Sequence, residues 1–169
     1  MSTTEILRRE HDIVLLKLDA LEGAAGNGDF DRVRAMLPFF ENEIQLHRRK
    51  EEEVLFPLLA RYMGETSGPI ACMLHEHQEE KELVRMLRSA VDDVARARGE
   101  DAQPEVLRRA GDFVAFLRNH IRKENEVLFP MAEQVLSDEE KEQTRTGMSR
   151  IGACCDTCAG HPQQSVGLQ

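Results

Sequence analysis

The chain has 169 residues and a formal net charge of −9, with 31 acidic residues against 22 basic ones. That length suits one domain with a substantial core. The acidic balance argues against nucleic acid or anionic lipid as partners. No apolar run approaches bilayer length, the longest being "AMLPFF". The opening "MSTTEILRREHD" lacks the apolar core and cleavage site of a secretory leader, so the expected location is the cytoplasm and no membrane partner is expected. Cys72 stands alone, while Cys154, Cys155 and Cys158 crowd the end of the sequence, which is no disulfide framework for a domain.

Helical periodicity runs throughout. In the first segment Leu7, His11, Val14, Leu18 and Leu21 step by four and three, until "GAAGNGD" (Gly23 to Asp29) predicts a break. The second carries Val33, Leu37, Phe40, Ile44, His47, Glu51, Leu55 and Leu58, and "GETSG" ends it. Pro69 then suits the first turn of the third, striped by Ile70, Met73, His77, Val84, Leu87, Val91 and Val94. After the loop "RGEDAQP" the fourth shows Val106, Ala110, Phe113, Leu117, His120, Glu124, Val127 and Met131. Four amphipathic helices with short loops predict an all-α, up-down-up-down four-helix bundle over residues 1–136. Ser137 with Glu140 forms a capping box that opens a short fifth helix within 137–152. Residues 153–169 lack periodicity and read as a flexible tail.

"HRRKEEEVLFP" (His47 to Pro57) returns as "HIRKENEVLFP" (His120 to Pro130), 73 residues on, differing only at Arg48/Ile121 and Glu52/Asn125. The first and third segments share Glu-His, at Glu10–His11 and Glu76–His77. An approximate internal twofold follows. His11, His47, His77 and His120 stand where the stripes otherwise hold Leu, Val or Phe, and so do Glu51 and Glu124. Two carboxylates in an apolar core cost several kcal/mol each unless compensated, and no Lys or Arg lies on those stripes. A cation from outside the sequence is expected, the alternative being a hydrogen-bonded His–Glu network without metal. Six ligands exceed one tetrahedral zinc and suit two metals. If Glu51 and Glu124 bridge, each metal receives two imidazoles and two carboxylate oxygens, and a bridging hydroxide or oxide adds a fifth ligand. Imidazole with carboxylate fits iron, whereas manganese prefers more oxygen.

"EHD" at 10–12, "EHQ" at 76–78 and the two long repeats together resemble the hemerythrin-like (HHE cation-binding) family over roughly residues 5 to 135. The resemblance implies an oxo- or hydroxo-bridged non-haem di-iron centre in a four-helix bundle. His11, His47, His77 and His120 would be its terminal ligands, and Glu51 and Glu124 its bridges. The oxygen-carrying hemerythrins pair two histidines on the third helix, where the face of His77 here offers Met73 and Lys81. Their fourth-helix spacing is also one residue longer. The chain looks closer to bacterial iron–sulfur-repair (RIC-type) proteins and to the hemerythrin-like domain of a eukaryotic iron-sensing ubiquitin-ligase subunit. The leading expectation is binding or sensing of O2, NO or redox state. The alternatives are an enzyme that reduces NO or peroxide or delivers iron to damaged clusters, and an iron storage or transfer protein.

Other residues read as peripheral. His75 should face away from His77, and Glu53 and Glu126 should be solvated. Arg48, Arg49 and Lys50 read as a solvated face, Tyr62 as core at the bundle end, and Met73 as a packing residue. Pro57 and Pro130 are expected to kink or end their helices. Cys154, Cys155, Cys158 and His161 admit three readings: an unspecialised tail, a redox thiol pair or a metal grip.

Overall fold

The computed structural model describes residues 2–97 and 103–152, all of them in helices or the turns between them. The tail cysteines and His161 lie outside the described residues, as does most of the Arg98–Pro104 loop. Leu7, His11, Val14, Leu18 and Leu21 bury along α1 (Glu5–Gly26) as their spacing predicts. The expected break at Gly23 comes later. Ala24 and Ala25 are good helix formers that bury against the core, so the helix persists to Gly26 before Gly28 turns the chain at φ 71°.

The second rod begins where Asp29 caps the Arg32 N–H at 3.1 Å. It comprises α2 (Phe30–Pro38), a π turn (Phe39–Glu43), α3 (Gln45–Lys50), a second π turn (Glu51–Leu55) and α4 (Phe56–Met63). The third is α5 (Pro69–Ala97), opening on Pro69 as predicted. The fourth is α6 (Gln103–Lys123), a π turn (Glu124–Leu128) and α7 (Phe129–Val135). Finally α8 (Asp138–Ile151) starts on the predicted capping box between Ser137 and Glu140.

The two repeat prolines neither end their helices nor simply kink them. Pro57 and Pro130 lack the N–H that would bond four residues back. The N–H groups just before them, of Phe56 and Phe129, reach five residues back instead, to the carbonyls of Glu51 and Glu124. The resulting π turn takes up one extra residue and advances the buried face. After Glu51 the chain therefore buries Leu55, Phe56 and Leu59, leaving Leu58 only half-buried. After Glu124 it buries Leu128, Phe129 and Ala132. Val127, expected inside, is 53% exposed, and Met131 is half-buried.

Packing closes a ring of four rods: α1 lies against α6 and α2, and α5 against the same two. α8 rests outside the ring on α3 and the Glu51–Leu55 turn. Tyr62 is half-exposed rather than core, because its hydroxyl donates to Glu140 Oε2 at 2.7 Å on the rim beside α8. The apolar interior falls into two clusters. One holds Val14, Ile44, Val84 and Leu117, the other Leu7, Leu55, Met73 and Leu128. Between them, on every rod of the ring, lies a polar layer. No helix among the described residues is long and apolar enough to cross a membrane.

Candidate metal centre

The polar layer contains all six residues singled out by their stripes. His11, His47, His77, His120, Glu51 and Glu124 are buried, with 4% exposure at most. Four ring Nε2 atoms and four carboxylate oxygens converge. Glu51 places Oε1 3.4 Å from His47 Nε2 and Oε2 3.3 Å from His77 Nε2. Glu124 places Oε2 3.1 Å from His11 Nε2 and Oε1 3.3 Å from His120 Nε2. Each carboxylate thus reaches toward both histidine pairs. His11, His47, Glu51 and Glu124 form one group with metal-ligand spacing, and His77, His120 and Glu124 form another.

The outer nitrogen of every ring is held. His47 Nδ1 lies 2.9 Å from Glu10 Oε2, and His120 Nδ1 lies 2.9 Å from Glu76 Oε2. His77 Nδ1 lies 2.7 Å from Glu52 Oε1, and His11 Nδ1 lies 2.9 Å from Asn125 Oδ1. A carboxylate or amide oxygen only accepts, so each Nδ1 donates and each Nε2 presents a lone pair inward. His11 Nε2 and His47 Nε2 are then two lone pairs 3.0 Å apart. Both oxygens of Glu51, both of Glu124 and His77 Nε2 are buried without a hydrogen-bond partner. Such orphaned acceptors cost about 1–3 kcal/mol each, more when charged. While Nε2 stays unprotonated these acceptors cannot satisfy one another, and what they lack is a proton on each ring or a cation between them. Cations between them would satisfy them all, and imidazole with bridging carboxylate is a donor set that iron accepts.

A family model for the hemerythrin HHE cation binding domain matches residues 2–132, which hold all six residues. The chain belongs to the hemerythrin HHE family. It is similar to the iron–sulfur cluster repair protein YtfE of Musicola paradisiaca (strain Ech703), 31% identical over 100 residues, 58% of this chain and 45% of that one. The YtfE of Pectobacterium atrosepticum is 32% identical over 93 residues, 54% of this chain and 42% of its own. That of Escherichia coli (strain K12 / DH10B) is 32% identical over 104 residues, 57% and 44%. The chain spans less than half the length of these curated relatives.

Within this hemerythrin HHE domain the long repeat is accounted for nearly residue by residue. Lys50 Nζ pairs with Glu10 Oε1 at 2.5 Å, and Lys123 pairs with Glu76. Each lysine thus anchors the carboxylate behind a histidine. The Phe of each "FP" stacks on a histidine from the other half: Phe56 on His77 with centroids 5.7 Å apart, Phe129 on His11 at 5.4 Å. Two of the three basic residues expected on a solvated face are therefore inside. Lys50 has no exposed surface because Glu10 holds its ammonium. Arg48 is buried against Glu80 at 2.7 Å. Only Arg49 stays out, paired with Glu53 at 2.6 Å. His75 and Glu126 are exposed, as expected. Neither Glu51 nor Glu124 has a Lys or Arg within ion-pair distance among the described residues.

The electrostatics say what the layer does without metal. Burial opposes a charge on His47, but Glu51 and Glu10 outweigh it and raise its pKa to about 10. Burial likewise opposes charging His77 and His120. Glu51 and Glu52 lift the first to about 9, and Glu124, Glu51 and Glu76 lift the second to about 9. Burial works against ionising Glu124 too, yet His120 and His11 hold it well below the usual carboxylate range. Protons and a cation thus compete for the same lone pairs. A small cavity adjoins the four rings, lined by Val14, Ile44, Leu117 and Ile121 and walled on one side by the Arg48–Glu80 pair.

Proposed function

We propose that this domain holds two iron ions and serves in iron–sulfur cluster repair by accepting and handing on iron. The carrying observation is the pair of buried carboxylates, each reaching toward both histidine pairs and each with both oxygens unpartnered. His11 and His47 would hold one ion with Glu51 Oε1 and Glu124 Oε2. His77 and His120 would hold the other with Glu51 Oε2 and Glu124 Oε1, and an oxo or hydroxo group would complete the bridge. Bound iron supplies a redox-active Lewis acid. Glu10, Glu52, Glu76 and Asn125 keep the four rings in the ligating tautomer, and Phe56 and Phe129 cover the site on one side against water. The repair role is supported by the YtfE relatives, which are iron–sulfur cluster repair proteins. We read residues 1–136 as the iron-binding unit, an up-down-up-down bundle with an approximate internal twofold. The matched contacts of Glu10–Lys50 and Glu76–Lys123 support that twofold.

The apolar cavity beside the histidines favours a second reading, in which O2 or NO binds and the protein reports on it. Anaerobic iron loading followed by metal analysis should give two irons per chain. The loaded chain should then restore an acceptor protein whose cluster has been damaged by peroxide. One iron per chain, or unchanged iron content in Glu51→Ala and Glu124→Ala, overturns the dinuclear reading. A reversible spectral response to NO or O2 with no iron passed to the acceptor favours the second.

A further inference from the structure

The two halves of the long repeat supply matching outer partners with one exception. Position 52 is Glu and position 125 is Asn. Both face an Nδ1 atom, at 2.7 Å for Glu52 on His77 and 2.9 Å for Asn125 on His11. The other two rings are backed alike, His47 by Glu10 and His120 by Glu76. The His77–His120 pair therefore has two carboxylates behind it. The His11–His47 pair has one carboxylate and one neutral amide.

An anionic acceptor draws the Nδ1 proton toward itself and makes Nε2 a stronger donor, while an amide does so far less. A stronger donor with an extra negative charge behind it favours ferric over ferrous iron. We infer that the two metal positions are inequivalent: Glu52 makes the His77–His120 position the first to be oxidised, and Asn125 leaves the His11–His47 position to keep and release ferrous iron. The inference rests on the dinuclear reading above. One-electron oxidation by ferricyanide would take its electron from iron held by His77 and His120, ferrous becoming ferric as ferricyanide becomes ferrocyanide. Glu52 and Asn125 are positioning residues, since each acts only through a ring. Arg8 donates to the Asn125 backbone carbonyl at 3.0 Å, so a carboxylate at position 125 would find a cation beside it.

The test uses the full chain, loaded anaerobically with iron, and reads iron content, the two one-electron potentials, and release of ferrous iron to a chelator from the half-oxidised state. Glu52→Gln should raise the lower potential and Asn125→Asp should lower the higher one. Each single variant should narrow the gap by about tenfold in equilibrium constant, roughly 59 mV for one electron. Asn125→Asp should also slow ferrous release by about tenfold. The double variant exchanges the two environments, so it should return a gap of the original size with the order of the two positions inverted, which a merely structural role would not do. Because Asn125→Asp adds an anionic acceptor rather than removing one, it carries the test even if Glu52→Gln fails to fold. Two irons bound with gap and release unmoved in Asn125→Asp overturns the inference alone. One iron in the wild type overturns it together with the dinuclear reading.

Discussion

Lys50 is a lysine with no exposed surface, its Nζ 2.5 Å from a carboxylate whose other oxygen holds a ring proton. Its counterpart Lys123 makes the same contact with Glu76, but its side chain is 36% exposed. Breaking a fully buried pair by removing one partner costs about 3–5 kcal/mol, whereas water screens a partly exposed pair to about 1 kcal/mol or less. Lys50→Met should therefore lower the unfolding free energy by about 3–5 kcal/mol and Lys123→Met by about 1, as read from denaturant titration of the metal-free protein. Equal losses would contradict this. Glu10→Ala leaves His47 Nδ1 without its acceptor and should weaken iron binding by about 10–100-fold in chelator competition. Unchanged affinity would remove Glu10 from any role in aiming the ring. The six inward residues were legible because each interrupts an apolar stripe. Glu10, Glu76, Lys50 and Lys123 were not, because charged residues beside a stripe ordinarily point to water. The available signal was that lysine recurs three places after the histidine in both copies of the repeat.

At the level of elements, periodicity carries its phase only while the hydrogen-bond ladder stays regular. Pro57 and Pro130 interrupt the ladder, so Leu58 and Val127 were placed one position out, although the helices themselves were read correctly. The Glu51–Leu55 turn also receives α8. A Cβ added to Gly147 would meet Val54 Cγ1 at 2.8 Å, closer than packed atoms approach. Valine is branched at Cβ and cannot swing away cheaply. Overpacking of this kind costs about 1–3 kcal/mol, against about 1 kcal/mol gained by replacing a helical glycine with alanine. Gly147→Ala should thus be destabilising on balance, and adding Val54→Ala should recover part of the loss. A thermal melt showing Gly147→Ala stabilised would mean that α8 is free to shift.

Across the whole molecule, an unsatisfied polar layer divides the core, so stability should follow what fills that layer. Without metal, His47, His77 and His120 carry protons at neutral pH, their pKa values raised to about 10, 9 and 9 from near 6.5 in the unfolded chain. A raised pKa contributes stability that is complete below the unfolded value and is lost as pH passes through the folded one. The melting temperature of metal-free protein should accordingly fall between about pH 7 and 10, and a flat profile would contradict this assignment. The same protons must leave when iron binds, so loading should release protons and tighten with pH, as calorimetry in buffers of different ionisation enthalpy would show. At a free iron concentration of 100 times Kd, the loaded form gains about 2.7 kcal/mol. The contacts that aim two of the rings also cross the chain's midpoint. His11 depends on Asn125 and Phe129, and His77 on Glu52 and Phe56. A chain severed between Gly64 and Gly68 would yield two pieces, each with two of the four site histidines and neither able to aim both of its own. That turn is thus a tether, holding the second half near the first at an effective concentration of order millimolar. Severed halves mixed well below that concentration should stay apart unless iron, gripping both, takes the place of the tether.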